Sequence, residues 1–190
     1  VRITSDEGVV GWGEAPALKD WGGEFGRYFG ESPSLSETVI QNYLTPAITD
    51  LEVGNIVEAH ARMDSVIKGY PYSKAAVETA LYDVAARTLN CPVHILLGGR
   101  VRDTIPVTHS IGLLDIDVAE RESAMVVTEG IKTIKIKVGV DPQRDVEIVR
   151  RIRDAVGPNI NLCVDANEGY KTPGEAIKTI RNMESCDLIY

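Results

Sequence analysis

Two lysines, Lys135 and Lys137, lie two residues apart in the segment TIKIKVG. Alternate residues of a β-strand share a face, so this spacing places both ammonium groups on one side and Ile134 and Ile136 on the other. Inside a barrel the two charges would repel each other and lose hydration, and both effects lower the pKa of a lysine. A lysine whose pKa falls toward neutrality can serve as a general base. The alternative is an edge strand whose lysines face solvent and prevent aggregation.

A carboxylate and an amide end the next predicted strand, in NLCVDANEGY. Asp165 and Asn167 are again two residues apart, and the carboxyl ends of parallel barrel strands are where catalytic groups collect. Oxygen ligands of this kind suit a hard cation such as Mg²⁺. A base and a metal ligand on neighbouring strands would suit removal of the proton beside a carboxylate, through a metal-stabilised enolate. The alternative is an Asx turn that ends an ordinary strand.

Substrate contacts are predicted from three further places in the chain. A histidine near the end of the strand candidate 105–111 could touch substrate or be structural. Aromatic residues of the glycine-rich segment 15–36 are interpreted as a lid, and two tyrosines that flank Pro71 as a second lid element. Ordinary loop packing is the alternative for both. The candidates are His109, Trp21, Phe25, Tyr28, Tyr70 and Tyr72.

The elements that position these residues alternate as strand and helix, with a period near 28 residues. Strands are predicted over 105–111, 133–138, 159–165 and from 187, and helices over 117–129, 142–156 and 172–183. This alternation predicts a parallel sheet built from βα units. No glycine-rich phosphate fingerprint accompanies it, which favours a (β/α) barrel over a dinucleotide-binding sheet. We therefore predict an α/β protein in which residues 91–190 form the first part of a (β/α) barrel, a modified TIM barrel.

A different pattern precedes the barrel. Residues 1–14 predict a β-hairpin around an Asp-Glu-Gly turn, and residues 36–89 predict helices, with Ser36 and Thr38 as candidate caps. Residues 1–90 are therefore predicted to form an α+β capping domain. Because both the hairpin and the barrel are incomplete, we expect the 190 residues to be an interior portion of a longer protein.

Composition excludes several classes of partner. The chain is 44% hydrophobic and 25% charged, with a formal net charge of -8, so it lacks the basic face that nucleic-acid binding requires. No apolar stretch approaches the roughly 20 residues of a membrane span. Three scattered cysteines favour reduced thiols in a cytoplasmic protein.

The motifs resemble those of the mandelate racemase and muconate-lactonizing group of the enolase superfamily. KIKVG followed by VDANEGY is similar to the second and third barrel strands of that group. DEGVVGWGEA resembles a strand pair of the N-terminal capping domain, and SKAAVETALYDVAAR with PVHILLGG resembles the helix and connector leading into the barrel. The resemblance implies that Lys137 is the base and Lys135 its pKa-lowering neighbour. It also implies that Asp165 is the first of three carboxylate ligands to Mg²⁺, with Asn167 near the metal or the substrate carboxylate.

The same resemblance implies an isomerase, either a racemase or epimerase or a cycloisomerase, that acts on a small-molecule carboxylate. A dehydratase of sugar acids or hydroxylated amino acids is the alternative within the superfamily. A noncatalytic binding protein is the alternative of another class, but it would not need Lys135, Lys137 and Asp165 together. The resemblance further implies a homo-oligomer. The remaining metal ligands would lie beyond residue 190, so a fragment of this length is expected to be inactive alone.

Overall fold

The chain forms two compact units, Val1–Val101 and Arg102–Tyr190. The computed structural model describes residues 1–17 and 30–190. The sequence pattern placed the division near residue 90, whereas the short helix Val93–Leu96 belongs to the first unit because it packs on the preceding long helix. Within the described residues, no helix has both the length and the apolar character needed to cross a membrane.

The first unit begins with the predicted hairpin. Strand β1, Arg2–Thr4, pairs antiparallel with β2, Val10–Trp12. Gly8 closes the turn with a φ of +82°, a left-handed conformation that glycine adopts without steric cost.

Five helices follow the hairpin among the described residues of the first unit. They are α1 Pro33–Val39, α2 Thr45–Ile48, α3 Ile56–Val66, α4 Pro71–Thr88 and α5 Val93–Leu96, and a π-helical segment, Ile40–Leu44, joins α1 to α2. The first helix starts earlier than predicted, because Ser32 caps it by accepting a hydrogen bond from the backbone N of Leu35 at 3.3 Å. Ser36 is instead a buried residue inside the helix that donates to Glu31.

Backbone packs directly on backbone where β2 meets α4. A Cβ atom added to Gly13 would lie 1.9 Å from the carbonyl oxygen of Ala76, and one added to Gly11 would lie 2.4 Å from that of Ala80. These two glycines therefore allow the hairpin to approach the helix more closely than any side chain would permit.

A carboxylate reinforces the same junction. Asp83 of α4 accepts a hydrogen bond from the backbone N of Trp12 at 2.9 Å, and a second from Arg87. Beside the junction lies an apolar core whose buried members come from α1, the π-helical segment, α3 and α4. They are Val39, Leu44, Ala59, Met63, Val77 and Leu81.

The second unit contains the predicted parallel sheet. Strands β3 Thr108–Ile111, β4 Thr133–Lys137 and β5 Asn161–Asp165 are hydrogen-bonded in that order, and all are parallel. Helices α6 Ile116–Thr128, α7 Pro142–Val156 and α8 Pro173–Asn182 follow them in turn. Leu188 forms a parallel bridge to Leu162, so a further strand begins beside β5 as the sequence predicted.

One face of this sheet is the core of the second unit. Ile111, Ile134, Ile136 and Leu162 are fully buried on it, and the apolar stripe of α7 packs in the same cluster. That stripe includes Ile148, Val149 and Ile152, at the three- and four-residue spacing of a helix face. The alternate residues of each strand therefore project from the opposite face of the sheet.

Candidate active site

The two lysines project from the face of β4 opposite the core. Ile134 and Ile136 are fully buried, while the Lys135 and Lys137 side chains are 37% and 29% exposed. Strand β4 lies between β3 and β5, so the lysines do not occupy an edge of the three described strands. The edge-strand alternative is therefore wrong.

Asp165 lies between the two ammonium groups. It is in register with Lys137 on the neighbouring strand, and its Oδ2 atom is 2.8 Å from Lys135 Nζ and 2.7 Å from Lys137 Nζ. Lys137 Nζ also donates to Asn167 Oδ1 at 2.5 Å. The predicted convergence of Lys135, Lys137 and Asp165 at the ends of neighbouring strands is confirmed, and Asn167 lies beside them. Their roles in binding and catalysis stay predictions.

The turn after β5 fixes the carboxylate. The Asn167 backbone N donates to Asp165 Oδ1 at 3.0 Å, which is the Asx turn considered as an alternative. Asn167 and Glu168 both have left-handed φ values, 45° and 61°. The turn and the charge cluster therefore coexist, since one oxygen of Asp165 holds the turn and the other meets both lysines.

The charges in this cluster compensate one another. Lys135 donates a hydrogen bond to Asp165, and this bond raises the pKa of Lys135 by more than desolvation lowers it. Lys135, Lys137 and the Asn167 backbone N–H together hold the pKa of Asp165 well below its usual range. The expected lowering of the lysine pKa by mutual repulsion is therefore not seen for Lys135, because a carboxylate stands between the two cations.

His109 is on the wrong face to contact a substrate beside the lysines. It is in register with Ile134, so its ring lies on the helix side of the sheet, where Nε2 is 2.8 Å from Glu122 Oε1 of α6. This contact favours the structural alternative for His109, and a contact with substrate stays an untested prediction. Ser110, in register with Lys135 and exposed, occupies the lysine face instead. The two-residue period of the strand was the signal that would have found it.

Two of the other predicted substrate contacts, Tyr70 and Tyr72, lie in the first unit. Tyr70 precedes α4 with a left-handed φ of 56° and packs against the apolar core there. The Tyr72 backbone N donates to Glu31 at 2.9 Å. Substrate contact by Tyr70 and Tyr72 stays a prediction. Trp21, Phe25 and Tyr28 lie outside the described residues.

One buried carboxylate behind the site was missed by sequence reasoning. Asp145, in the first turn of α7, is fully buried and binds the loops that follow β4 and β5. It stands three and four residues before Ile148 and Val149, so it continues the apolar stripe of the helix. The presence of a charged residue within this apolar stripe was the signal in the sequence that could have identified Asp145.

The chemistry of the donor atoms fits part of a magnesium site. Asp165 and Asn167 offer the carboxylate and amide oxygens that hard cations take, at the strand ends. Across residues 1–17 and 30–190, however, no group of three or more His, Cys, Asp and Glu side chains is arranged to hold a metal. Asp165 thus fits as one ligand of a set that the described residues do not complete.

Family models match nearly the whole chain. Residues 1–98 match the N-terminal domain of the mandelate racemase / muconate lactonizing enzyme family. Residues 117–190 match the enolase C-terminal domain-like model.

Curated relatives with known activities are similar to the chain across most of its length. N-succinyl-L-Arg/Lys racemase of Bacillus cereus is 33% identical over 96% of this chain and 48% of its own length. Muconate cycloisomerase 1 of Acinetobacter baylyi is 35% identical over 100% of this chain and 51% of its own length. The chain therefore spans about half the length of the curated relatives it matches.

Solved structures confirm the fold. The crystal structure of the N-succinyl Arg/Lys racemase from Bacillus cereus superposes with a TM-score of 0.89 at 31% identity, over 100% of this chain and 49% of that one. The structure of the dipeptide epimerase from Cytophaga hutchinsonii, complexed with Mg and the dipeptide D-Ala-L-Val, superposes with a TM-score of 0.84 at 30% identity. The match covers 98% of this chain and 48% of that one. The predicted class, part of a (β/α) barrel preceded by an α+β domain, is correct.

Proposed function

The chain belongs to the mandelate racemase / muconate lactonizing enzyme family of the enolase superfamily, and from this premise we propose that it removes the α-proton of a carboxylate substrate in an isomerisation. The observation that carries the proposal is the cluster of Lys135, Lys137 and Asp165, in which one carboxylate oxygen lies within 2.8 Å of two ammonium nitrogens. Such a cluster supplies both a proton acceptor and compensating positive charge where a carboxylate would bind.

Lys137 is assigned as the base in this proposal. It is the last residue of β4, nearer the open end of the strand than Lys135, and as the neutral amine it would accept the α-proton. Lys135 lies one pleat deeper on the same face, where its positive charge would stabilise the anion that proton loss creates.

Asp165 is assigned as a magnesium ligand, with Asn167 beside it. Bound Mg²⁺ would hold the substrate carboxylate and stabilise the negative charge of the enolate. Both oxygens of Asp165 already have hydrogen-bond partners, since Oδ2 meets the two lysines and Oδ1 accepts from the Asn167 backbone N. A cation bound at Asp165 would therefore compete with these donors.

The activities of the similar enzymes narrow the class of substrate to propose. Racemases and epimerases with N-succinylated amino acids or dipeptides as substrates match at 33% and 34% identity. We therefore propose an N-acylated amino acid or dipeptide as the substrate. Cycloisomerisation is the second candidate, because muconate cycloisomerase matches at 35%.

Proton exchange in deuterated water tests this function. The full-length protein carrying this sequence would be incubated with Mg²⁺ and a panel of N-succinyl amino acids, dipeptides and muconate. We expect ¹H NMR to show loss of the α-proton signal, with the opposite configuration appearing, for an N-acylated amino acid or dipeptide. Lactone formation from muconate without such exchange would favour the cycloisomerase instead. No reaction with any carboxylate of the panel would contradict both.

A further inference from the structure

A buried charged residue lies behind the site and takes no part in the proposed proton transfer. Asp145 is fully buried at the start of α7, and it faces the strand ends from the helix layer. Burying a carboxylate is costly unless it is hydrogen-bonded or paired with a positive charge. The partners of Asp145 therefore show what its position achieves.

One oxygen of Asp145 joins two strand-end loops. Oδ2 accepts a hydrogen bond from the Gly139 backbone N at 2.7 Å and another from the Tyr170 hydroxyl at 3.2 Å. Gly139 follows Lys137 by two residues, and Tyr170 follows Asp165 by five. The loops that carry the base and the metal ligand thus share a single acceptor atom.

These two loops are also in direct backbone contact. A Cβ atom at Gly139 would lie 2.4 Å from the Ala166 carbonyl oxygen, and one at Gly169 would lie 2.2 Å from the Gly139 carbonyl oxygen. Gly139 has a φ of +97°, so the contact also depends on a conformation that other residues rarely adopt. Small shifts of either loop would therefore be transmitted to the other.

Tyr170 acts as a hydrogen-bond donor in this arrangement. Burial, reinforced by the neighbouring Asp145 carboxylate, raises the pKa of the Tyr170 hydroxyl well above its usual value. The hydroxyl therefore keeps its proton and can donate to Asp145 throughout the neutral range.

Arg144 extends the connection to the third loop. Its Nη2 atom donates to the backbone carbonyl of Leu114, in the loop after β3. Its Nη1 atom lies 3.7 Å from Asp145 Oδ1. Among the described residues, these are the two buried side-chain atoms without a hydrogen-bond partner, so they compensate each other by charge rather than by a hydrogen bond.

An ion pair of this kind does more to position its neighbours than to stabilise the fold. Replacing a buried ion pair with apolar side chains of similar volume is often neutral or stabilising, so the pair is a poor way to strengthen a core. Its hydrogen bonds, by contrast, fix the relative positions of three separate loops with directional contacts.

We propose that Arg144 and Asp145 are a positioning pair that ties the ends of β3, β4 and β5 to α7 and so holds Lys137 and Asp165 in register for proton transfer. The proposal rests on the proposed function. It makes Asp145 a positioning residue, because it touches Gly139 and Tyr170 rather than the atoms that would react.

Steady-state kinetics of the full-length protein test the pair. Asp145→Asn keeps the volume but removes the charge that faces Arg144, and Tyr170→Phe removes only the hydroxyl that reaches Asp145. Asp154→Asn is the matched control, since it makes the same charge change on the exposed face of the same helix. Misplacement of a reacting group by about 1 Å costs roughly 100-fold in rate.

We expect kcat for α-proton exchange to fall about 100-fold in Asp145→Asn and about 10-fold in Tyr170→Phe, with KM changed less than about threefold. Asp154→Asn should match the unsubstituted protein. A merely structural role would lower the melting temperature and leave kcat per folded molecule unchanged. An unchanged kcat per folded molecule in both Asp145→Asn and the milder Tyr170→Phe variant would therefore overturn the proposal.

Hydrogen exchange separates this proposal from the proposed function. In the same variants, mass spectrometry would follow amide exchange in peptides covering 112–116, 138–145 and 165–171. Faster exchange in all three peptides for Asp145→Asn, with none for Asp154→Asn, supports the pair even if no substrate is found. Unchanged protection of the three loops would overturn it, whatever the activity of the protein.

Discussion

The hairpin–helix junction of the first unit and the strand-end charge cluster of the second are built on opposite principles. At the junction, Gly11 and Gly13 remove side chains so that backbone meets backbone, and no volume can be added. In the cluster, Lys135, Lys137 and Asp165 are long or charged side chains, each about a third exposed. The first arrangement allows one geometry, whereas the partly exposed side chains of the second would be able to exchange hydrogen-bond partners. The proposed site for a charged substrate and a cation would require that capacity.

Each region also contains a carboxylate whose pKa is held low, but for different reasons. The Trp12 backbone N–H, followed by Arg87, lowers the pKa of Asp83 in the junction. At Asp165, hydrogen bonds from the partly exposed side chains of Lys135 and then Lys137 are the main causes of the low pKa. A backbone donor fixed by a strand cannot leave its acceptor without unfolding the strand, but a lysine can.

The largest expected effect follows from removing the shared acceptor of the cluster. Asp165→Asn keeps the shape of the side chain but removes the charge that both lysines contact and that a cation would bind. Loss of several kcal/mol of charge stabilisation corresponds to about 10³-fold in the rate of α-proton exchange. The measurement is exchange in deuterated water with the full-length protein.

The fold should tolerate that change, because the cluster is partly exposed. Circular dichroism of the Asp165→Asn variant should therefore overlay that of the unsubstituted protein. If Asp165→Asn exchanges protons at the unsubstituted rate, Asp165 is not the acceptor that the site depends on.

The second largest expected effect is a loss of stability when volume is added at the hairpin–helix junction. Gly13→Ala would place a methyl group 1.9 Å from the Ala76 carbonyl oxygen, so the hairpin must move away from α4. We expect a loss of about 3 kcal/mol in the free energy of unfolding, the upper range for overpacking. Urea denaturation measures it.

Gly54→Ala is the matched control, because a Cβ atom there meets nothing within 4 Å. Its free energy of unfolding should change by less than about 0.5 kcal/mol. Equal losses in the two variants would mean that close backbone approach is not what holds the hairpin on α4.

The smallest expected effect is a difference between Asp83 and Asp165 in how far salt shifts their pKa values. Each has a folded-state pKa below its unfolded value, so each contributes stability that is present above about pH 4 and lost as the pH falls through the folded pKa. Raising the ionic strength screens the partly exposed lysine charges, so the pKa of Asp165 should move upward toward its usual value. The pKa of Asp83 should move less, because its first partner is a backbone N–H group. Carboxyl ¹³C NMR titration at two salt concentrations measures both, and equal shifts would contradict the distinction.

Much of this architecture could be predicted from local pattern. Helix α7 spans the predicted residues, Pro142–Val156, because Asp141 caps it, Pro142 starts it and its apolar stripe is regular. The shared face of Lys135 and Lys137 follows from the two-residue period of any strand.

What could not be predicted depends on contacts between distant residues. The contact of His109 with Glu122 joins a strand to the helix that follows it, and the local pattern of the strand does not encode this contact. The pKa of Lys135 depends on a carboxylate thirty residues later in the chain, and the spacing of the lysines alone suggested the opposite direction. The role of Asp145 likewise depends on loops that follow two different strands.

Replacing the proposed base tests the central claim most directly. Lys137→Met removes the amine with little change in chain length, and Lys132→Met makes the same substitution just before β4 begins, at the other end of the strand. Both variants of the full-length protein would be given each enantiomer of an accepted substrate in deuterated water. We expect Lys137→Met to lose α-proton exchange from one enantiomer, by about 10²- to 10³-fold, while Lys132→Met exchanges normally. Undiminished exchange from both enantiomers by Lys137→Met would contradict the assignment of Lys137 as the base.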